Sequence, residues 1–102
     1  MGDYKKMYVQ TTILEFSDAS KKLVPGPVME QFIAARQLAS GLVSVQYTEE
    51  ETKQQYVVSW NTHEDYINFI TTNAELFGRA LAEREVTYNA NNIKVTTTGT
   101  EI

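Results

Sequence analysis

The sequence predicts an α+β domain with the element order β-α-β-β-α-β, and three observations predict it. Segments rich in β-branched and aromatic residues, alternating with period two, occupy residues 7–16, 42–48 and 54–60. Segments with apolar residues three and four apart, each opened by a helix-start signal, lie between and after them. The length of 102 residues suits one domain, residues 1–102, and not two.

The first strand is expected over residues 7–16, where Tyr8, Val9, Thr11, Thr12, Ile13 and Phe16 fit a pleated surface. A polar connection, residues 17–22, follows it. Pro25-Gly26-Pro27 then marks entry to a helix. Val28, Phe32, Ala35 and Ala39 recur at helical spacing, widened by Met29 and Ile33 on one side and Leu38 on the other. Arg36 and Gln37 are assigned to its polar face, and Ser40-Gly41 to its end.

Residues 42–48 alternate, with Val43, Val45 and Tyr47 on one face against Leu42, Ser44 and Gln46. Residues 54–60 set Tyr56, Val58 and Trp60 against Gln55, Val57 and Ser59, and the charged run 49–53 joins the two strands as a hairpin. Thr62 is placed to cap a second helix, with Asp65 at the capping-box position. Tyr66, Phe69 and Ile70 form its stripe, Asn73 breaks or restarts it, and it continues through Leu76, Phe77, Ala80 and Leu81. Residues 85–88 and 93–98 read as strands separated by the turn-prone Asn89-Ala90-Asn91-Asn92.

This order is the split βαβ, ferredoxin-like sandwich, whose helices cover one face of the sheet. The strands carry apolar residues on both faces, so the open face needs a cover. A second copy of the same sheet is the simplest one, which makes a homodimer the expected assembly.

Composition narrows the function classes. Lys plus Arg number 9 and Asp plus Glu 13, a net charge of −4. Phosphate-backbone binding needs a basic face, and the pairs Lys5-Lys6 and Lys21-Lys22 are too short to supply one, so nucleic acid is not an expected partner. The absence of cysteine removes disulfides, thiolate nucleophiles and Cys-based metal sites. No apolar run reaches the roughly 20 residues of a membrane span. The N-terminus has no apolar signal core, and Met1-Gly2 lacks the downstream Ser or Thr of a myristoylation site, since Lys6 stands there. A cytoplasmic protein with no membrane partner is expected.

The stretch Tyr56-Val57-Val58-Ser59-Trp60-Asn61-Thr62-His63-Glu64-Asp65-Tyr66-Ile67-Asn68-Phe69 resembles the core signature of antibiotic-biosynthesis-monooxygenase domains, in which a strand ends in Trp and a polar turn starts the next helix. Residues 39–47, Ala39-Ser40-Gly41-Leu42-Val43-Ser44-Val45-Gln46-Tyr47, resemble that family's helix-to-strand junction, with Ser40 where its proline usually stands. The likeness runs from Tyr8 to about Tyr88. It implies a ferredoxin-like protomer whose dimer forms an α/β barrel. It also implies one of several small-molecule chemistries, among them cofactor-independent oxygenation of aromatic polyketides and haem degradation.

By that resemblance Trp60 and Tyr66 line a substrate cavity, Trp60 at a strand end and Tyr66 in the first turns of the next helix. The alternative for both is plain core packing. Tyr56 stands where the oxygenases carry an enolate-binding Asn, and a phenol can also donate a hydrogen bond. Arg79 lies one residue out of register with a substrate-facing arginine and can stabilise an oxyanion; the alternative is a solvated helix residue.

Trp60, Tyr66, Tyr56 and Arg79 are thus the candidate catalytic residues, with Tyr47, Phe69, Phe77, Gln10 and Thr12 as candidate substrate contacts. Gln10, Thr12, Ser44, Gln46 and Ser59 are polar at alternating strand positions and face either solvent or a cavity. His63, the sole histidine, sits at a helix start, usually an exposed place, and cannot build a metal site without carboxylates. The haem-degrading branch needs an axial His on the helix after the Trp, and Leu76-Phe77-Gly78-Arg79-Ala80-Leu81 has none.

The expected function is cofactor-independent oxygenation of a small aromatic or polyketide-like substrate, with no flavin, haem or metal. A non-redox cyclase or isomerase, or a small-molecule-binding protein of the same fold, is the alternative.

Overall fold

The computed structural model describes residues 6–102. The Met1-Gly2 start and Lys5 lie outside the described residues. The elements follow as β1 (Tyr8–Glu15), a 3-10 turn (Ala19–Lys21), α1 (Pro27–Gln37), β2 (Leu42–Glu50), β3 (Lys53–Trp60), α2 (His63–Thr72), α3 (Ala74–Asn91) and β4 (Lys94–Glu101). The strands form one antiparallel sheet of order β2-β3-β1-β4, the ferredoxin-like topology.

Each helix begins and ends for a local reason. Gly26 and Pro27 open α1, with Pro27 in the first turn, where its missing N–H costs nothing. The chain leaves α1 at Leu38, earlier than Ser40-Gly41 suggests. Gly41, at a φ of +87°, then reverses direction into β2, a conformation that favours glycine. The Thr62 hydroxyl accepts the Asp65 N–H at 3.0 Å and caps α2. Asn73 both ends α2 and starts α3. Its N–H and side-chain amide donate to the Phe69 carbonyl, and its own carbonyl receives the Phe77 N–H at 2.8 Å.

Two sequence expectations are corrected. Residues 85–88 are helix, not strand. Although Val86 and Thr87 favour strands locally, Tyr88 extends the inward stripe of Phe77, Leu81 and Arg84 by one further turn, and packing overrides propensity. The Asn-rich segment is the helix end: Asn92 sits in the left-handed region at φ 52° and ψ 43°, donating to the Tyr88 carbonyl. In β2, an irregularity between Leu42 and Ser44 puts Leu42 opposite Trp60, on the same face as Val45 and Tyr47, and leaves Val43 exposed.

The helix-facing side of the sheet carries the core. One cluster joins Met29, Phe32, Val58, Trp60, Phe69 and Ala80; a second joins Leu14, Phe16, Leu23 and Ile93. Gln54, only 2% exposed, locks the connection before α1 onto the sheet. Its side-chain oxygen accepts from the Leu23 N–H at 3.0 Å, and its amide donates to the Leu23 carbonyl at 3.0 Å and to the Tyr47 hydroxyl at 3.0 Å. Among the described residues no helix lies over the opposite face of the sheet. Val9, Ile13 and Val57 lie half-buried there among Thr11, Gln55 and Ser59. That face is a mixed polar and apolar surface.

Candidate small-molecule site

The β pleat turns every second residue of a strand inward. On β1 these are Gln10, Thr12 and Leu14, and on β3 Tyr56, Val58 and Trp60. With the inward stripes of the three helices they surround a cavity of about 300 Å³. That is the lower end of the range in which small-molecule sites fall, about 300–1,000 Å³. Val95 and Thr97 of β4 line it while remaining exposed, so it opens on the β4 side.

One end is aromatic. Trp60 is 1% exposed, with its ring 5.4 Å from Phe69 and 5.9 Å from Tyr66, the latter edge-on. Tyr8, next to Trp60 on the neighbouring strand, stands 5.2 Å from the Tyr66 ring. The Gln10 amide donates to the Tyr66 hydroxyl at 3.2 Å. Because that oxygen accepts from Gln10, the Tyr66 O–H proton is free for another acceptor. Trp60 Nε1 is buried and has no hydrogen-bond partner among the described residues. A buried indole N–H normally finds one.

The other end is cationic and phenolic. The Tyr56 ring is 4.7 Å from Tyr47. Burial, reinforced by the neighbouring phenols of Tyr47 and Tyr88 and opposed by Arg84 and Arg36, pushes the Tyr56 pKa up to about 12. At neutral pH it is therefore a proton donor and not a base. Arg36 of α1 and Arg84 of α3 both line the cavity, and the Nε of each is buried without a partner among the described residues. Burial first, and then the charge of Arg84, draws the Arg36 pKa down. Its ordinary value is so high that the guanidinium stays charged at neutral pH. No Asp, Glu or His among the described residues lines the cavity. Among the described residues no group of three or more metal-ligating side chains occurs.

Most of the sequence-derived site residues thus share one cavity: Trp60, Tyr66, Tyr56, Phe69 and Phe77, with Gln10 and Thr12 from β1. Two lie elsewhere. Arg79 is exposed on α3, off the stripe of Phe77, Leu81 and Arg84 that faces the cavity. Tyr47 is 45% exposed, and its hydroxyl donates to Glu49 at 2.8 Å outside the lining. Ser44 and Ser59 pair across the outer face, not in the cavity. His63 is exposed, its ring 4.6 Å from Tyr8.

Arg36, Arg84 and Tyr88 escaped the sequence reading, although a signal existed. Arg36 continues the Met29-Phe32-Ile33 stripe at helical spacing, which puts it on the packed face. Arg84 and Tyr88 continue the Phe77-Leu81 stripe, which reading residues 85–88 as strand cuts short.

The fold is shared with solved structures at low sequence identity. A cofactor-independent oxygenase from Streptomyces nogalater, SnoaB, aligns with a TM-score of 0.60 and 9% identity over 93% of this chain and 91% of its own. The ActVA-Orf6 monooxygenase of Streptomyces coelicolor, solved with nanaomycin D, aligns with a TM-score of 0.63 and 13% identity over 95% and 88%. A dimeric ferredoxin-like protein from an uncultured marine organism aligns with a TM-score of 0.59 and 11% identity over 96% and 89%. No protein-family model matches the chain, and no curated protein sequence does. At these identities the likeness defines a ferredoxin-like fold of the kind seen in dimeric proteins and in these oxygenases.

Proposed function

We propose that the protein is a cofactor-independent monooxygenase for a planar phenolic or polyketide-like small molecule, working as a homodimer. The observation that carries this reading is the pair of donors at the aromatic end of the cavity, the unpartnered Trp60 N–H and the Tyr66 hydroxyl freed by Gln10. The fold it shares with SnoaB and ActVA-Orf6 supports the same reading.

An aromatic substrate fits edge-on and tilted against Trp60, Tyr66 and Phe69, the arrangements that ring quadrupoles favour. An oxygen on that ring, placed between the Trp60 N–H and the Tyr66 O–H, gains two donors that strengthen as it becomes anionic. With no carboxylate or imidazole in the lining, the proton leaves to solvent, so the substrate must be a phenol that ionises readily. The carbanion form of the enolate then gives its electron pair to dioxygen. Protonation yields a hydroperoxide, and loss of water from it converts a ring CH₂ to C=O, with one oxygen atom retained and the other released as water. Tyr56 remains protonated and donates to a second substrate oxygen.

Oxygen uptake with an anthrone tests this. Wild-type protein should accelerate uptake. Trp60→Phe should lower kcat by about 100-fold or more, the scale of one lost oxyanion donor. Uptake indifferent to both Trp60→Phe and Tyr66→Phe would overturn the assignment. The same lining also favours a binding protein as the second reading, because it contains no side-chain base. Tight binding of the anthrone without uptake would select that reading.

A further inference from the structure

We propose that Arg36 and Arg84 form a carboxylate subsite, so that the ligand of this cavity is a planar aromatic acid held with its carboxylate at the arginine end and its ring against Trp60. This assigns a substrate class and rests on the cavity's being a small-molecule site; it does not depend on the oxygen chemistry.

The two guanidinium groups come from different helices and line one cavity. An arginine inside a protein ordinarily meets a carboxylate, because burying an unpaired charge is costly. Among the described residues neither has such a partner. No acidic residue among them lines the cavity, and the ion pair formed joins Lys22 to Glu49 at the surface. Glu83, next to Arg84 in sequence, is occupied elsewhere, receiving the N–H groups of Val28 and Met29. The Nε atoms of both arginines are buried donors without acceptors. They also repel each other, which adds to the effect of burial in drawing the Arg36 pKa down.

Two guanidinium groups of like charge line one cavity with no acidic residue beside them among the described residues, an arrangement that an anion completes. A carboxylate offers up to four lone-pair positions and can accept from both guanidinium groups at once. It neutralises one charge and leaves one in excess, which still favours ionisation of a phenol elsewhere on the ligand. Phe32, with the Arg36 guanidinium 5.9 Å from its ring centroid, supplies an apolar wall beside the subsite. Tyr56 and Trp60 face inward from the same strand four residues apart, about 13 Å at the usual rise. That spacing suits a fused-ring acid better than a single ring.

The test is a comparison of two probes, anthraquinone-2-carboxylate and its carboxamide, titrated by calorimetry against wild type, Arg36→Gln, Arg84→Gln and the double variant. Wild type should bind the carboxylate at least tenfold more tightly than the amide. Each single variant should lose most of that preference and leave amide binding nearly unchanged. Removing two half-buried like charges should also keep or raise the Tm of the double variant without ligand, which excludes misfolding as the cause of lost binding. In wild type alone, the carboxylate should raise the Tm more than the amide does. Equal affinity for the two probes in wild type, or a preference that survives the double substitution, overturns the proposal. Loss of oxygen uptake with the carboxylate preference intact would instead count against the monooxygenase reading only.

Discussion

Glu83 of α3 lies over Gly26 at the start of α1, and its carboxylate oxygens receive the backbone N–H groups of Val28 and Met29 at 3.1 and 2.9 Å. A capping carboxylate normally comes from the helix's own sequence; here it comes from a different helix. Gly26 permits the approach, because a Cβ there would stand 2.6 Å from Glu83 Cδ. The contact fixes α1 against α3, and these are the two helices that carry Arg36 and Arg84.

Glu83→Ala should therefore cost about 1–2 kcal/mol, the scale of a lost charged cap. Gly26→Ala should cost a similar amount by displacing the same carboxylate. Because both remove one contact, Gly26→Ala in the Glu83→Ala background should add little further loss. Urea denaturation of the four proteins checks this, and strict additivity would show that Gly26 acts independently of the cap.

Gln54 offers a sharper stability test. It satisfies both the N–H and the C=O of Leu23 from a site almost without solvent. Gln54→Leu conserves bulk but leaves both backbone groups unpaired, each costing about 1–3 kcal/mol. A loss of about 2–6 kcal/mol in urea denaturation is expected, larger than for an Ala substitution at exposed Gln46 on β2. Equal effects at the two positions would mean that the Leu23 backbone finds water instead.

How far the sequence reaches can be seen at particular residues. The family resemblance named Trp60 and Tyr66 as cavity residues, a strand end and a following helix start bring both to the lining, and the Thr62 cap was readable from local chemistry alone. Arg36 was not. Its spacing continues the Met29-Phe32-Ile33 stripe, but a charged residue defaults to the polar face, and it is the tertiary pairing of α1 with α3 that shows this side of the helix bordering a cavity. Residues 85–88 failed for a related reason: local β preference is worth less than one more turn of packing by Tyr88. The exposed position of Arg79 depends on the helical phase of α3, which Asn73 resets.

Alkaline titration should reveal the buried phenol. The Tyr56 pKa rises from an ordinary phenol value near 10 to about 12. Between those values the folded chain keeps a proton that the unfolded chain releases, so stability falls as pH rises. The contribution is fully present below about pH 10 and is lost as pH passes through about 12. Burial raises the Tyr88 and Tyr47 phenols as well, and they act in the same direction. Absorbance at 295 nm should show a late-titrating tyrosinate that is absent in Tyr56→Phe, and that variant should lose less stability between pH 10 and 12. An unchanged titration curve would place Tyr56 in water.

The uncovered sheet face makes the last prediction. Val9, Ile13 and Val57 point away from the helices, and Val57 pairs with Thr11 on one side and Gln46 on the other, so it sits in the middle of that face. If a second sheet packs on it at the usual separation of about 10 Å, Val57 is at the centre of the contact. Sedimentation at micromolar concentration should then show a species of twice 11.6 kDa. Val57→Arg should shift it to 11.6 kDa while the far-UV circular dichroism stays unchanged, since the side chain does not enter the protomer core. A charge at the centre of a desolvated face is repelled by its symmetry mate and has no acceptor among the surrounding threonines to neutralise it, so the effect should exceed that of Thr98→Arg on the exposed edge strand. Wild-type protein that sediments only at 11.6 kDa would remove the dimer, and with it the need for any cover on this face.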